Sequence, residues 1–276
     1  DAARIGKLPQ IEIETRGYDY MSPVYLMEVN IRRGPLADVR VRKALAHAID
    51  RNALSRVVWF GYGVPAVSPV PSTIKAFYAP PEDVKYPYDT KRAEALLDEA
   101  GFKRGADGKR FKLTLDYMPF GADFQRSAEF VKQQLTRIGL DVEIRNTDLP
   151  TYAKRIYTDY DYDMTLGYYG AFPDPTQGLQ RIFWSKAVGK GVVFTNSNDY
   201  KNPMMDQVLE GAQTENDATK RFEMFARMQR IAMQDLPVIP LMEMRNFTIA
   251  HRSVKNHTMG ADGIIGGNFA NTWIAR

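Results

Sequence analysis

Apolar positions along the chain recur at helical spacing in some stretches and alternate in others, and the two periods divide it into elements. Val41, Leu45, Ala48 and Ile49 fall at i, i+4, i+7 and i+8, which predicts a helix over residues 38–50 with one buried face and an Arg-rich face in water. Asn52 restarts the pattern as a cap, Leu54, Val57 and Val58 continue it, and Gly61 and Gly63 end it. Prolines at 65, 69, 71, 80, 81 and 87 then predict a long ordered loop over residues 61–87. Ala93, Leu96, Leu97 and Ala100 form the next helical stripe, with Asp89 or Thr90 as its cap and Gly101 where a helix-closing glycine belongs. Phe111, Leu113, Leu115 and Tyr117 alternate as a strand; Phe124, Ala128, Val131, Leu135 and Ile138 follow at 3.6 spacing up to Gly139; Leu140, Val142 and Ile144 alternate again. That order predicts a strand, helix, strand unit with a parallel crossover. A helix from Asp148, a strand holding Tyr162, Met164, Leu166 and Tyr168, a helical block over residues 202–235 and short strands over 238–242 and 247–250 complete an α/β or mixed α+β chain without internal repeats.

Length and composition narrow the class. With 276 residues, 44% hydrophobic and 25% charged, the chain is long enough to bury roughly 70% of its unfolded surface without staples. It has no cysteine, which excludes disulfides, thiolate zinc sites, iron–sulfur clusters and cysteine nucleophiles, and leaves the compartment open. The richest apolar run, residues 57–70, is broken by Gly61, Gly63, Pro65 and Pro69, so nothing in it has the roughly 18 uninterrupted apolar residues of a membrane span. The chain opens at Asp1 with no Met, basic or apolar leader, which reads as a processed product or a piece cut from something longer.

The chemical motifs are few. Residues 61–66 (GYGVPA) match a dinucleotide fingerprint in letters, but a helix precedes them and prolines follow, so a helix-terminating turn is the better reading. Asp159, Asp161 and Asp163 have the spacing that opens a calcium loop, yet Met164 and Gly170 stand where Gly and Glu belong; a turn entering a strand replaces it. His47, His251 and His257 form no metal-ligand pair, and nucleophile elbows, phosphate loops and H-E-x-x-H pairs are absent, so no metal and no cofactor is expected. Arg32, Arg33, Arg40, Arg42 and Lys43 make one basic cluster, read as a solvated helix face, and the net charge of +4 is too evenly spread for a nucleic-acid partner. Residues 168–175 (YYGAFPDP) put aromatics, a glycine and two prolines at a strand's carboxyl end. That is a rigid, ring-lined loop, equally readable as a ligand contact or as core packing.

Four blocks resemble the extracytoplasmic solute-binding proteins of ABC importers, in the peptide- and nickel-binding family 5. They are residues 35–51 (PLADVRVRKALAHAIDR), residues 88–102 (YDTKRAEALLDEAGF), Gln133-Gln134-Leu135 with Ile138-Gly139-Leu140, and Tyr162-Asp163 leading to Asp174-Pro175. The resemblance implies a non-enzymatic receptor whose two lobes, joined by a hinge, close on a solute. It assigns residues 26–250 to the C-terminal lobe, residues 1–25 to a connection from the other lobe and residues 251–276 to a segment returning towards it, and a lone lobe is expected to bind weakly. Oligopeptide binders of the family carry a Trp-x-x-Asp whose acid pairs with the peptide amine; here those positions read Tyr168-Tyr169-Gly170-Ala171. An unpaired buried ammonium is costly, so the resemblance with this departure points to a peptide-like, oligosaccharide or opine-like solute, and nickel is disfavoured. The implied ligand-binding residues are Tyr168, Tyr169, Ala171, Phe172, Asp174 and Trp184. Implied with them are ABC permease subunits as partners, a periplasmic or membrane-anchored location and a monomeric full-length protein. The competing expectation is a glycoside or peptide hydrolase using paired carboxylates such as Asp163 and Asp174.

Overall fold

The computed structural model describes residues 2–19, 23–32, 34–258 and 269–275. A helical turn α1 (Ala2–Ile5) and strand β1 (Ile11–Glu14) lead to β2 (Val24–Val29), helices α2 (Val39–Ala48) and α3 (Arg51–Val57) and the short strand β3 (Gly63–Pro65). After the proline-rich loop come α4 (Thr90–Glu99), β4 (Phe111–Tyr117), α5 (Ala122–Arg137), β5 (Leu140–Arg145) and α6 (Leu149–Lys154), which runs on as one π-helical turn. Strand β6 (Met164–Tyr169) is followed by α7 (Pro175–Gly178), α8 (Gln180–Phe183), α9 (Pro203–Thr214) and α10 (Ala218–Asp235). Then come β7 (Val238–Met244), β8 (Thr248–His251), β9 (Val254–Lys255) and β10 (Trp273–Ile274).

Six strands form one mixed sheet in the order β3-β7-β2-β6-β4-β5. β4 runs parallel to β5 and β6, as the crossover predicts, while β2 is antiparallel to β6 and β7, and β3 to β7. Two apolar clusters cover the faces: one gathers Tyr25, Met27 and Val29 with the stripes of α2, α4 and α5, the other Leu26 with Phe183, Leu209 and Phe225 from α8, α9 and α10. The other paired ends lie outside this sheet. β1 pairs with β8 from Ile11↔His251 to Glu14↔Thr248, and β9 with β10.

Most helices start at a carboxylate or amide that the sequence supplies. Asp38, Asp89, Asp148, Asn202 and Asp217 each accept a first-turn amide hydrogen bond. The restart near residue 50 is capped by Asp50, which accepts from the Ala53 amide, rather than by Asn52. Helix ends at Gly101 and Gly139 fall in the left-handed region, φ 90° and 87°, which only glycine adopts at little cost.

One central strand is unexpected, and two expectations change. Strand β2 has no alternation because all six of its residues are buried between two helical layers; a period-2 search passes over it although it is central. The basic face of α2 is not wholly solvated: Arg42 is buried and donates to the carbonyls of Asp235, Leu36 and Ala37, so part of the cluster is internal scaffolding. Arg33 lies outside the described residues. The block over 202–235 is two helices, α9 and α10, broken at Glu215 and Asp217.

Candidate functional site

A cleft of about 1250 Å³ opens at the end of the sheet where β4, β6 and β7 finish and β2 begins. This is the crevice beyond strand carboxyl ends where open α/β sheets hold ligands. Tyr168 closes β6 and is half-buried in its wall. Past β4 the chain reaches exposed Phe120, then Gly121 at φ 134°, and one turn into α5 Phe124 points back into the rings. Trp59, Phe60 and Tyr62 come from the turn that ends α3, where Phe60 and Gly61 both have positive φ, and Phe247 from the turn between β7 and β8. The rings meet one another: Phe120 lies 6.2 Å from Tyr168 and 6.1 Å from Phe124, Trp59 6.3 Å from Phe124, and Tyr62 4.5 Å from Phe247. The Trp59 indole is fixed by a 3.1 Å hydrogen bond from Nε1 to Ser127 Oγ.

The six sequence-derived residues separate. Tyr168 lines the cleft. Tyr169, the next residue of an alternating strand, points to the opposite side and is buried, its hydroxyl donating to Glu28 Oε1 at 2.8 Å. Ala171 is 1% exposed, inside the second apolar cluster. Phe172 is exposed at φ 54°, and Asp174 caps α7 and pairs with Arg221 at 2.6 Å. Trp184 lies further on, donating to Glu210 at 2.9 Å with Lys186 over its ring. Residues 170 and 178 close tightly on each other: a Cβ on Gly178 would stand 1.8 Å from the Gly170 carbonyl oxygen, so only glycine allows that approach. The ring set of Trp59, Tyr62, Phe120, Phe124 and Phe247 was not picked out from sequence. The signal was present in residues 59–63 (WFGYG) and 117–121 (YMPFG), which repeat the aromatic-plus-glycine composition that singled out 168–175.

Behind the cleft wall, Glu28 in the middle of β2 is wholly buried and accepts from Tyr169 Oη and from Ser197 Oγ at 2.9 Å; Ser197 in turn meets the Tyr162 hydroxyl at 2.6 Å. Burial pushes its carboxyl up to about 7, against the pull of those two hydrogen bonds. The two carboxylates of the hydrolase expectation are both engaged elsewhere: Asp163 accepts from Thr114 N (2.7 Å) and Oγ1 (2.9 Å) and Asp174 is paired with Arg221. Asp161 also pairs with Arg145, and among the described residues no group of three His, Asp or Glu side chains is placed to share a metal. His47 meets the Pro87 carbonyl, His251 Ser253, and His257 Glu12.

Residues 2–191 match the model of the bacterial extracellular solute-binding proteins, family 5 middle region. Oligopeptide-binding protein OppA of Bacillus subtilis is 28% identical over 274 residues, covering 94% of this chain and 48% of its own. A dipeptide-binding protein of Escherichia coli is 24% identical, covering 84% and 42%. Among solved structures, a dipeptide-binding protein from Pseudoalteromonas in complex with Met-Leu superposes with a TM-score of 0.83 at 25% identity, over 99% of this chain and 52% of that one. HbpA2 from Haemophilus parasuis shares the fold with a TM-score of 0.84 at 22% identity. The chain spans about half the length of the curated relatives it matches. Among the described residues no helix is long and apolar enough to cross a membrane.

Proposed function

The chain belongs to the bacterial extracellular solute-binding proteins of family 5, a family of binding proteins and not of enzymes, and we propose that it is the solute-capturing part of an ABC-type importer for peptide-like solutes. The observation that carries this reading is the ring-walled cleft at the strand carboxyl ends, large enough for a solute of several residues and lined by aromatic faces together with Arg4, Asp123, Arg126 and Arg245. The relatives are named for peptides, which favours a peptide-like solute over the oligosaccharide or opine-like ones expected from Ala171, and nothing in them supports a hydrolase. Contact with the solute falls to Tyr168, Trp59 and Phe120, with Tyr169 and Ala171 behind the wall and Asp174 holding the loop.

In this proposal residues 26–250 are one lobe, and the segments 1–25 and 251–276 lead to and from a second; residues 1, 20–22, 259–268 and 276 of them lie outside the described part. The pairing of β1 with β8 and the half-length match to the relatives support it. The receptor works outside the cytoplasm, in the periplasm, as a monomer that hands its solute to the permease subunits. Native mass spectrometry of the exported protein, purified without denaturant, tests it. Peptide masses released on unfolding, and saturable binding of Met-Leu or longer peptides, are expected. Sustained turnover of chromogenic glycosides or peptides, or the absence of any peptide binding, would overturn it.

A further inference from the structure

A second cavity of about 560 Å³ lies apart from the cleft, and no residue lines both. It is lined by the proline-rich segment, the start of α3 and Met233 of α10. Pro80 and Pro81 and the rings of Tyr78, Tyr86 and Tyr88 form much of its wall. Proline fixes its own φ and offers no backbone N–H, so such a wall is preformed and presents apolar faces with few amide donors. The long ordered loop thus has a task beyond connecting β3 to α4.

Arg51, the first residue of α3, stands in this lining and is only 8% exposed. Its Nε donates to the Pro240 carbonyl at 2.8 Å, and its Nη1 to the Ala46 and Tyr86 carbonyls at 2.9 and 3.3 Å. The two N–H groups on Nη2 are left with no partner among the described residues. No carboxylate lies close enough to offset the buried charge, and burial pushes the guanidinium down to about 10. Two further donors in the same lining make no hydrogen bond: the Tyr78 hydroxyl, and the Asn52 side-chain amide, which capping by Asp50 leaves unused. The carboxylates of the lining are engaged, Asp50 with the Ala53 amide and Glu82 with Lys85 at 2.5 Å.

A buried cation with spare donors is matched by an anion. Asp50 and Glu82 restrict that anion to a single charge, because they would repel a second. Its body has to be apolar to cover the rings, and since a cavity of roughly 150 Å³ already takes benzene, this one has room for two rings. We propose that the cavity is a second binding site, separate from the solute cleft, for a monocarboxylate with an aromatic body. Arg51 Nη2 holds the carboxylate, Tyr78 and Asn52 donate to it, and the ring system lies against Tyr86, Tyr88 and Pro81.

The test is NMR of the methionine methyl groups in the 276-residue chain, because Met233 lines this cavity and Met244 the cleft; Met233→Leu and Met244→Leu assign the two signals. The probe is naphthoate, compared with the neutral naphthamide and with inorganic phosphate. Naphthoate should shift Met233 saturably and at lower concentration than any shift of Met244, and naphthamide should bind about tenfold or more weakly. Arg51→Gln should abolish that preference for the acid. Tyr78→Phe combined with Asn52→Ala, which removes no hydrogen bond among the described residues, should weaken naphthoate several-fold. Phosphate, with no apolar body, should leave Met233 in place; binding as tight as that of naphthoate would overturn the ligand class. A Met233 signal that naphthoate leaves in place or moves no earlier than Met244, or equal binding of acid and amide, would overturn the site, and neither result depends on whether Arg51→Gln folds.

Discussion

Replacing Glu28 by Gln isolates one buried charge and predicts a change in how stability depends on pH. The residue has no exposed surface, and Gln keeps its shape: the amide oxygen accepts from Tyr169, and the Ser197 hydroxyl turns to accept from the new NH₂ while donating to Tyr162. In the folded chain the Glu28 carboxyl titrates at about 7, against an ordinary 4.5. Below the ordinary value both states are protonated, and the network is at full strength. Between the two values the unfolded chain releases the proton while the folded chain keeps it, so stability falls with rising pH; above about 7 both are ionised and the loss is complete. At 1.36 kcal/mol per pH unit the whole loss is about 3 kcal/mol. Urea unfolding of both proteins, followed by tryptophan fluorescence from about pH 4 to about pH 8, gives the difference directly. The unchanged protein should lose about 3 kcal/mol relative to Glu28→Gln across that range, most of it between about pH 4.5 and pH 7. A difference that stays constant with pH would refute the reasoning, because it would mean that Glu28 is ionised throughout or meets water when folded.

Tyr168→Ala should leave the fold intact and weaken solute binding in the full-length protein by about 1–3 kcal/mol, read by calorimetry; unchanged affinity would remove the ring from the contact set. Asp116→Ala should lower unfolding free energy by about 3 kcal/mol, because it strands the guanidinium groups of Arg145 and Arg155, now 2.7 and 2.8 Å from its oxygens, and both keep some solvent. A denaturation midpoint that does not move would contradict that role. Ala171→Asp should fail to create an amine site, since the position is sealed in an apolar cluster; the expected result is a loss of several kcal/mol of stability with no gain for free-amine peptides over acetylated ones.

The elements most sharply bounded in the sequence are those whose two sides face different media, although the buried strands β6 and β7 are legible too. α4 and α5 have one wet face, β5 is the sheet's edge and the first residues of β4 meet water, so Ala93, Leu96 and Leu97 or Leu113 and Leu115 stand out against polar neighbours. Strand β2 has protein on both sides, and its run of Val24, Tyr25, Leu26 and Met27 carries no period. The site was legible in composition and not in direction. Aromatics beside glycine at a strand's end mark a loop of unusual geometry, but which of two adjacent rings faces the cleft depends on the register of β6 against β2, where Tyr168 lies opposite Tyr25 and Tyr169 opposite Val24. Arg42 shows the same limit: its spacing on α2 places it among exposed cations, while carbonyls from α10 and the turn before α2 draw it inside.

The β1–β8 ribbon also sets how the molecule answers to force. Ile11 and His251 form its outermost pair, next to the Arg252 amide bonded to the Gln10 carbonyl, so tension on the two flanking segments acts at one end of the ladder. Ladder bonds lie across the strands, and a load applied this way opens them one after another from Ile11 towards Glu14 instead of sharing the strain among them. Under a pull on those segments the ribbon peels at low force while the six-stranded sheet stays whole. It acts as a mechanical fuse between the sheet and whatever either segment is tied to.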